Sequence, residues 1–227
     1  MRGGVGSAEG RVSGPVVGFD LDQTLVESRV AIGATLQAAL AEVGVEILPE
    51  QAWPFNGVPL DRTLDALAPD VDRAHVATRY RQLYARHGIP VTTLLPGAVE
   101  AVDAVHARGG RVLVVSTKVD SAVRDVLAHV GLDRGRYAVD EIAGGLFAGQ
   151  KGVRLAAAGA QVYVGDHPGD VEAAKAARAV SVAVATGPHS AQQLSACGAD
   201  VVLADLSGFP DWLAGFDPAG HCVAGLR

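Results

Sequence analysis

Short valine-rich runs recur along this chain with helical patterns between them, and this alternation is the feature that most restricts its fold. The runs lie at residues 16–20, 111–116, 161–165, 179–184 and 200–203. Strands that alternate with helices pair in parallel through right-handed crossovers. The sequence therefore predicts an α/β protein built on a doubly wound parallel sheet.

The long gap between the first two runs has a different pattern. Residues 29–95 contain no convincing strand. Apolar residues recur there at helical spacing, for example at Leu36, Leu40 and Val43. We therefore expect an inserted α-helical cap domain. The predicted divisions are a disordered N-terminal tail at 1–14, a core domain at 15–28 and 96–216, the cap at 29–95 and a loose C-terminal tail at 217–227.

Composition and charge narrow the possible partners. Of the 227 residues, 49% are hydrophobic, and the formal net charge is −6. Nucleic acids and anionic membranes need clustered positive charge, so neither is an expected partner. No stretch has the length and apolar character of a membrane span. Cys197 and Cys222 lie far apart without metal-ligand spacing, which indicates unpaired thiols and a cytoplasmic protein.

The first run ends in two acidic residues and a hydroxyl. Asp20 and Asp22 are separated by one residue, and Thr24 follows at the same spacing. Side chains at i and i+2 of an extended segment point the same way, so both carboxylates can face one substrate at the C-terminal edge of the sheet. One carboxylate can then attack while the other moves protons, which is the layout of an aspartate phosphotransfer site.

Polar residues also follow the second predicted strand. Ser116 and Thr117 stand where the chain leaves this strand, and hydroxyls and free N–H groups at such a turn bind phosphate oxygens. Lys151 follows a glycine-rich stretch and opens a helix predicted over 153–158, where its charge could neutralise a phosphoryl group. Taken alone, these residues are more simply explained as a helix cap and a solvated lysine.

Two further acids follow the third run. Asp166 and Asp170 close a loop at the end of an apolar strand, and such carboxylates suit a hard divalent cation that keeps several waters. The alternative for this pair alone is a solvated turn in which Asp170 caps the next helix. Because four such groups stand in order on strand ends, one common site is favoured over separate explanations.

Together these motifs resemble those of the haloacid dehalogenase superfamily of phosphohydrolases. The corresponding motifs are Asp20-x-Asp22-x-Thr24, Ser116, Lys151 and Gly165-Asp166-x-x-x-Asp170. The resemblance covers nearly everything from Val16 to about Leu213, and it implies a Rossmann-like core with a type 1 helical cap. Within the superfamily, residues 95–98, 116–118 and 185–190 look most like those of the phosphoglycolate phosphatase group.

The resemblance also implies a mechanism and a cofactor. Asp20 would be the nucleophile that forms an aspartyl-phosphate, and Asp22 would be the general acid and base. Mg²⁺ would bind the Asp20 carboxylate, the Asp22 backbone carbonyl and Asp166, with Asp170 supporting it through water. The implied ligands of the phosphoryl group of a small phosphorylated metabolite are Ser116, Thr117 and Lys151. The oligomeric state stays open, with a homodimer as one alternative.

The chain departs from the usual family pattern near these motifs. Gln23 stands where Gly is usual, Thr117 where Asn is frequent, Gly152 in place of Pro and His167 in place of Ser. These departures leave the catalytic residues intact but bear on the substrate. In the cap, Arg62 is the expected contact for an anionic leaving group, because its guanidinium fork matches a carboxylate.

Other functions are possible on the same framework. A dehalogenase has no need of the second acid, which is present as Asp22. Phosphonate hydrolases and phosphoglucomutases of the superfamily use a cap lysine, and residues 29–95 contain none. A signalling receiver places its phosphorylated aspartate on a later strand and lacks a helical insertion of this size. A catalytically idle interaction protein is the last alternative, which the full set of acids disfavours.

Overall fold

A computed structural model describes residues 14–217 of the chain. The predicted tails at 1–14 and 217–227 lie outside this range except for their innermost residues. The strands are β1 (Val16–Phe19), β2 (Val26–Glu27), β3 (Thr93–Leu94), β4 (Arg111–Val115), β5 (Glu141–Ala143), β6 (Val162–Gly165), β7 (Val180–Val184) and β8 (Val201–Leu203). The α-helices are α1 (Arg29–Ala41), α2 (Leu60–Leu67), α3 (Arg73–Leu83), α4 (Ala98–Ala107), α5 (Asp120–Val130), α6 (Gly149–Ala158), α7 (Pro168–Ala177), α8 (Ala191–Ala196) and α9 (Phe209–Ala214).

Six of these strands form one parallel sheet in the order β5-β4-β1-β6-β7-β8. β1 lies in its interior, where Phe19 is aligned with Val114 of β4 and with Val164 of β6. A strand in this position is covered on both faces, which explains why the strands are runs of valine rather than alternating apolar and polar residues. The predicted doubly wound α/β architecture is confirmed.

Alternate residues of the central strands face two separate cores. Val17 and Phe19 pack in one core with residues of α4, α5 and α9. Leu113 and Tyr163 pack on the opposite face with Leu155 of α6 and with residues of α7. The two-residue period of the strands thus sorts the helices into two layers, and the C-terminal ends of the strands meet at one edge of the sheet.

The segment between β2 and β3 is helical and has a core of its own. α1, α2 and α3 share the buried side chains Leu36, Leu40, Leu64 and Val76. β2 and β3 pair as a short antiparallel ribbon where this segment leaves and rejoins the core. The structure therefore contains the expected helical cap, whereas the domain boundaries proposed from the sequence stay a prediction.

Three local features differ from the sequence expectations. Thr93–Leu94 is a strand inside the segment predicted to have none, because it pairs with β2. Glu141–Ala143 is a half-buried edge strand that the sequence pattern does not predict. The helix that carries Lys151 begins at Gly149 rather than at residue 153, so the lysine belongs to its first turn.

Candidate active site

The C-terminal ends of three neighbouring strands bring the first polar residues together. Asp20 follows β1, Ser116 follows β4 and Asp166 follows β6. The backbone N–H of Asp20 donates to the carbonyl of Val164 at 2.8 Å, which aligns the ends of β1 and β6. All three polar side chains are buried. Parallel pairing thus places residues from distant parts of the sequence at one edge of the sheet.

Lys151 joins two of the acids. Its Nζ lies 2.8 Å from Asp20 Oδ1 and 2.7 Å from Asp170 Oδ1, and it is buried. Burial alone would lower the pKa of this ammonium, but the Asp170 and Asp20 carboxylates raise it well above its ordinary value. A charged amine at this position reduces the repulsion between the two carboxylates and can neutralise a bound anion.

Close packing of two helices holds Lys151 in place. A Cβ on Gly152 of α6 would lie 2.7 Å from Cβ of Ala176 in α7 and 2.9 Å from the carbonyl oxygen of Ala173. Side chains do not tolerate such contacts, so glycine is needed where the helices approach this closely. The unusual Gly152 therefore has a packing role that brings Lys151 to the acids.

Three carboxylates form a candidate metal centre. One oxygen each from Asp20, Asp166 and Asp170 lies within 4.8 Å of the others, and all three residues are buried. Thr24 Oγ1 donates to Asp166 Oδ1 at 3.3 Å, whereas Asp166 Oδ2 is buried and has no hydrogen-bond partner among the described residues. A buried carboxylate oxygen without a partner is unfavourable, and a divalent cation would satisfy it. The donor set therefore fits Mg²⁺, which prefers oxygen ligands.

Burial and mutual repulsion change the protonation of this cluster. Burial raises the pKa of Asp20 from 3.8 to about 7; Lys151 opposes the rise, and the Asp170 and Asp22 carboxylates add to it. Burial, together with the Asp20 and Asp170 carboxylates, also raises the pKa of Asp166 well above its ordinary value. A cation bound among these groups would favour their ionised forms.

Asp22 has partners of its own. Lys118 Nζ lies 2.7 Å from both carboxylate oxygens of Asp22, and Ser28 Oγ donates to Asp22 Oδ1 at 2.5 Å. The ammonium also lies over the ring of Tyr84 in the cap segment, 4.6 Å from its centroid. Lys118 is not among the site residues predicted from the sequence. Its position two residues after Ser116, in a chain with very few lysines, is the sequence feature that could have indicated a role.

The two hydroxyls that follow β4 have different partners. Ser116 is fully buried, and its Oγ accepts from the backbone N–H of Lys118 at 3.2 Å. Thr117 Oγ1 donates to the carbonyl oxygen of Gly57 in the cap at 3.3 Å. Ser116 thus stays at the edge of the sheet, whereas Thr117 links the core to the cap.

Arg62 is not brought to the acids. Its side chain is exposed, and its guanidinium lies over the ring of Phe147, 5.0 Å from the centroid. It is also absent from the lining of the cavity beside Asp22. The contact expected with an anionic leaving group would require Arg62 to leave Phe147, and its role in substrate selection stays a prediction.

A cavity of about 350 Å³ opens beside Asp22, between the cap and the core. Its wall includes Asn56 and Tyr84 from the cap and Lys118 from the core, but not Asp20. The acidic edge of the sheet and the cavity therefore meet at Asp22. A substrate could place one part at the acids and the other part in the cavity.

The chain is similar to known hydrolases over most of its length. The family model described as haloacid dehalogenase-like hydrolase matches residues 17–175. A phosphoglycolate phosphatase of Cereibacter sphaeroides is 35% identical over an alignment of 180 positions, which covers 72% of this chain and 81% of that protein. A phosphoglycolate phosphatase of Rhodospirillum rubrum is 30% identical over an alignment of 227 positions, which covers 89% of this chain and 92% of that protein.

Solved structures show the same fold. The crystal structure of a protein described as a predicted phosphatase from Clostridium acetobutylicum superimposes with a TM-score of 0.79 at 18% identity, covering 89% of this chain and 99% of that chain. The range that the family model matches, residues 17–175, spans the positions from Asp20 to Asp170. The chain therefore belongs to the haloacid dehalogenase-like hydrolase family, and its relatives include phosphoglycolate phosphatases.

Proposed function

We propose that this chain is a Mg²⁺-dependent phosphatase that hydrolyses a small phosphomonoester through an aspartyl-phosphate on Asp20. The observation that carries the proposal is the position of Asp20, a buried carboxylate 2.8 Å from the Lys151 ammonium and part of the acidic cluster. Asp22, two residues further on, lines the cavity. The phosphatases among the relatives support the reaction type.

In the first half-reaction, an oxygen of Asp20 attacks the phosphorus and forms an acyl-phosphate bond, while the bond from phosphorus to the leaving oxygen breaks. Asp22 in its acid form gives its proton to the leaving oxygen, so that an alcohol departs. Lys118 and Ser28, which contact the Asp22 carboxyl group, hold it in place for this transfer.

In the second half-reaction, Asp22 accepts a proton from a water molecule whose oxygen attacks the phosphorus of the aspartyl-phosphate. The bond between Asp20 and phosphorus breaks, inorganic phosphate leaves, and the Asp20 carboxylate is restored. Asp22 has then given up one proton and regained one, so the cycle balances.

Charged and hydroxyl groups would hold the phosphoryl group during both steps. Lys151 would neutralise part of its charge from a buried position where water competes little. Ser116, at the edge of the sheet, would donate a hydrogen bond from its hydroxyl to a phosphoryl oxygen. Thr117 would have to release its bond to Gly57 to join them.

The candidate metal centre would complete the charge balance. Asp20, the Asp22 backbone carbonyl and Asp166 would hold Mg²⁺, with Asp170 behind them. Bound there, the cation would supply charge neutralisation for the transferring group. The unpartnered Asp166 Oδ2 is the feature of the site that supports this assignment.

The names of the relatives bear on the substrate, and the helices of the structure bear on the location. Phosphoglycolate is the reference substrate, because relatives carry it in their names. Among residues 14–217, no helix has the length and apolar character needed to span a bilayer. The cytoplasmic location and the homodimer alternative stay predictions.

Phosphate release from a panel of phosphomonoesters, measured with Mg²⁺ and with EDTA, tests the proposal. We expect hydrolysis with Mg²⁺, its loss with EDTA, and an acid-quenched protein that carries a hydroxylamine-sensitive phosphate on Asp20. A mutase would rearrange a sugar phosphate with little phosphate release. A signalling receiver would keep the phosphate on its aspartate without turnover. Hydrolysis that EDTA leaves unchanged would contradict the metal requirement.

A further inference from the structure

The cavity beside Asp22 is larger than the leaving group of phosphoglycolate. Its volume is about 350 Å³, which corresponds to about twelve water molecules at roughly 30 Å³ each. Asp20 and Lys151 do not line it, so the phosphoryl group is not what fills this space. Glycolate, placed with its oxygen at Asp22, would leave most of the cavity to water.

Aliphatic and aromatic side chains form much of the wall. They come mainly from the cap and include Leu36, Phe55, Val58, Tyr80 and Tyr84. An apolar ligand surface gains free energy when it leaves water for such a wall, whereas a small charged group does not. The wall therefore favours a leaving group that has an apolar body.

The charges on the wall do not favour a second anion. Lys118 is the largely buried cation of the described lining, with a side chain 13% exposed, and it is already paired with Asp22 at 2.7 Å. The other cation of the lining is the exposed Arg81, and two exposed acids, Asp61 and Asp125, line the cavity as well. A carboxylate on the leaving group would thus lose water without meeting an unpaired buried cation.

Asn56 supplies an unused hydrogen-bonding group. It is the single asparagine of the chain, it lines the cavity, and it is 3% exposed. Its Nδ2 is buried and has no hydrogen-bond partner among the described residues. A buried donor without a partner is unfavourable, and a neutral oxygen of a ligand would satisfy it. A hydroxyl suits an amide best, because each group can both donate and accept.

We propose that this cavity selects a leaving group that is larger than glycolate and that combines an apolar body with a neutral hydroxyl paired to Asn56. This assignment rests on the proposed phosphatase function and differs from the phosphoglycolate named for the relatives. The leaving oxygen lies at Asp22, the apolar body packs against the cap side chains, and the hydroxyl reaches Asn56.

Hydroxyalkyl phosphates test this substrate class. kcat/KM for phosphate release is measured with Mg²⁺ for ω-hydroxyalkyl phosphates of about four to six carbon atoms, a size that the cavity can hold. Alkyl phosphates of the same length and phosphoglycolate serve as comparisons. We expect the best hydroxyalkyl phosphate to exceed its alkyl counterpart by about tenfold, since a site built around a hydrogen bond rejects the analogue that lacks it. We expect it to exceed phosphoglycolate as well.

Substitution of the amide identifies the group that is responsible. Asn56→Leu keeps the approximate size of the side chain but removes the hydrogen bond, so the preference for the hydroxyl should fall by about tenfold. Asn56→Ala provides a second variant, and the Tm of each variant shows whether the fold is retained. Gln192→Leu, which removes an exposed amide on α8, is the matched control and should keep the preference.

Filling the cavity gives an independent test. Ala122 lines the cavity and is half-buried, so Ala122→Leu should shift the kcat/KM ratio towards phosphoglycolate by about tenfold. A wild-type preference for phosphoglycolate over every hydroxyalkyl phosphate would overturn the assignment. Retention of the hydroxyl preference in both Asn56 variants would overturn it too. Lack of Mg²⁺-dependent hydrolysis of every phosphomonoester would instead contradict the proposed phosphatase function.

Discussion

At the scale of single residues, the fold gives two aspartates that are separated by one residue different partners. Asp20 is buried beside Lys151, and burial raises its pKa to about 7. Asp22 is held by the Lys118 ammonium and by Ser28. Covalent phosphate transfer needs such a division, in which one carboxylate attacks and the other carries protons.

Replacing Asp20 tests the first of these roles. Asp20→Asn keeps the shape of the side chain but cannot attack phosphorus, so kcat should fall by at least about a thousandfold. Phosphate release measures the loss, and an unchanged circular dichroism spectrum shows that the fold is intact. Near wild-type turnover in a sample shown by mass spectrometry to be free of aspartate at this position would contradict the covalent mechanism.

Replacing Asp22 tests proton transfer. Asp22→Asn should slow the hydrolysis of alkyl phosphates by about a hundredfold or more, since the leaving alkoxide is no longer protonated. An aryl phosphate with a good leaving group needs less protonation, so its formation of the aspartyl-phosphate should slow much less. Single-turnover rates on both substrates measure the difference. Equal losses on the two would mean that Asp22 is not the acid.

Gln23 carries backbone strain next to these acids. It adopts φ +57°, a left-handed conformation that costs about 1–2 kcal/mol in residues other than glycine. Its backbone N–H donates to the carbonyl of Val26 at 2.8 Å, and its carbonyl accepts from the hydroxyl of Thr186. Glycine, which the family resemblance implies at this position, would adopt this conformation without the strain.

At the scale of elements, the loop after β7 packs directly against the acidic cluster. A Cβ on Gly187 would lie 1.7 Å from Asp166 Oδ2, so only glycine leaves room for this carboxylate. Gly187→Ala should therefore displace Asp166 and raise the Mg²⁺ concentration for half-maximal activity by about tenfold. Gly149→Ala is the matched control, because a Cβ there meets no atom within 4 Å. Identical Mg²⁺ titrations for the two variants would show that Asp166 does not bind the metal.

Arg62 of the cap contacts Phe147 in the loop before α6, and two roles for this arginine can be distinguished by experiment. If Arg62 binds a carboxylate of the substrate, Arg62→Ala should reduce kcat/KM for phosphoglycolate by roughly 30-fold and spare a neutral alkyl phosphate. If Arg62 only packs on Phe147, as it does in the structure, kcat/KM should fall equally for both substrates. kcat/KM on the two substrates decides the point, and Arg73→Ala, an exposed arginine of α3, serves as the control.

At the scale of the whole molecule, the buried acids couple stability to pH. The pKa of Asp20 is raised from 3.8 to about 7 in the folded protein, so between these values the folded state binds more protons than the unfolded state. The stability that this group contributes is complete below its ordinary pKa and is lost as the pH rises to about 7. Asp166, whose pKa is also raised, acts in the same direction.

The expected result is a lower Tm at about pH 8 than at about pH 5 when EDTA is present. Saturating Mg²⁺ should narrow this difference, because a ligand that binds the ionised native state stabilises it. Asp20→Asn should also narrow it, since the titrating group is gone. Differential scanning fluorimetry with and without Mg²⁺ measures the effect. A Tm in EDTA that rises steadily from pH 5 to 8 would contradict the raised pKa values.

The spacing of apolar residues along the chain predicted the strands and helices whose own residues carry a clear period. Valine runs indicate buried strands, and apolar residues at helical spacing indicate the cap helices, because both periods are properties of a single segment. β2, β3 and β5 were not predicted because each has two or three residues and, unlike β8, none is a run of valine. The start of α6 at Gly149 was not predicted either, because glycine has a low intrinsic helix propensity. Packing against α7 overrides this propensity.

The sequence by itself determined which chemical groups stand at the strand ends, because the spacing of Asp20 and Asp22 and their place after an apolar run are local features. Only the tertiary structure decided the partners of these groups. It paired Lys118 with Asp22, placed Arg62 over Phe147 and left the Asn56 amide without a partner in the cavity. The physical reason is that each feature depends on the packing of elements that are distant in the sequence. Lys118 follows β4 and Asp22 follows β1, so neighbouring strand ends bring these two together. The other two features depend on how the cap lies against the core. Such geometry follows from the packing of whole elements, which the residue pattern of a single segment does not contain.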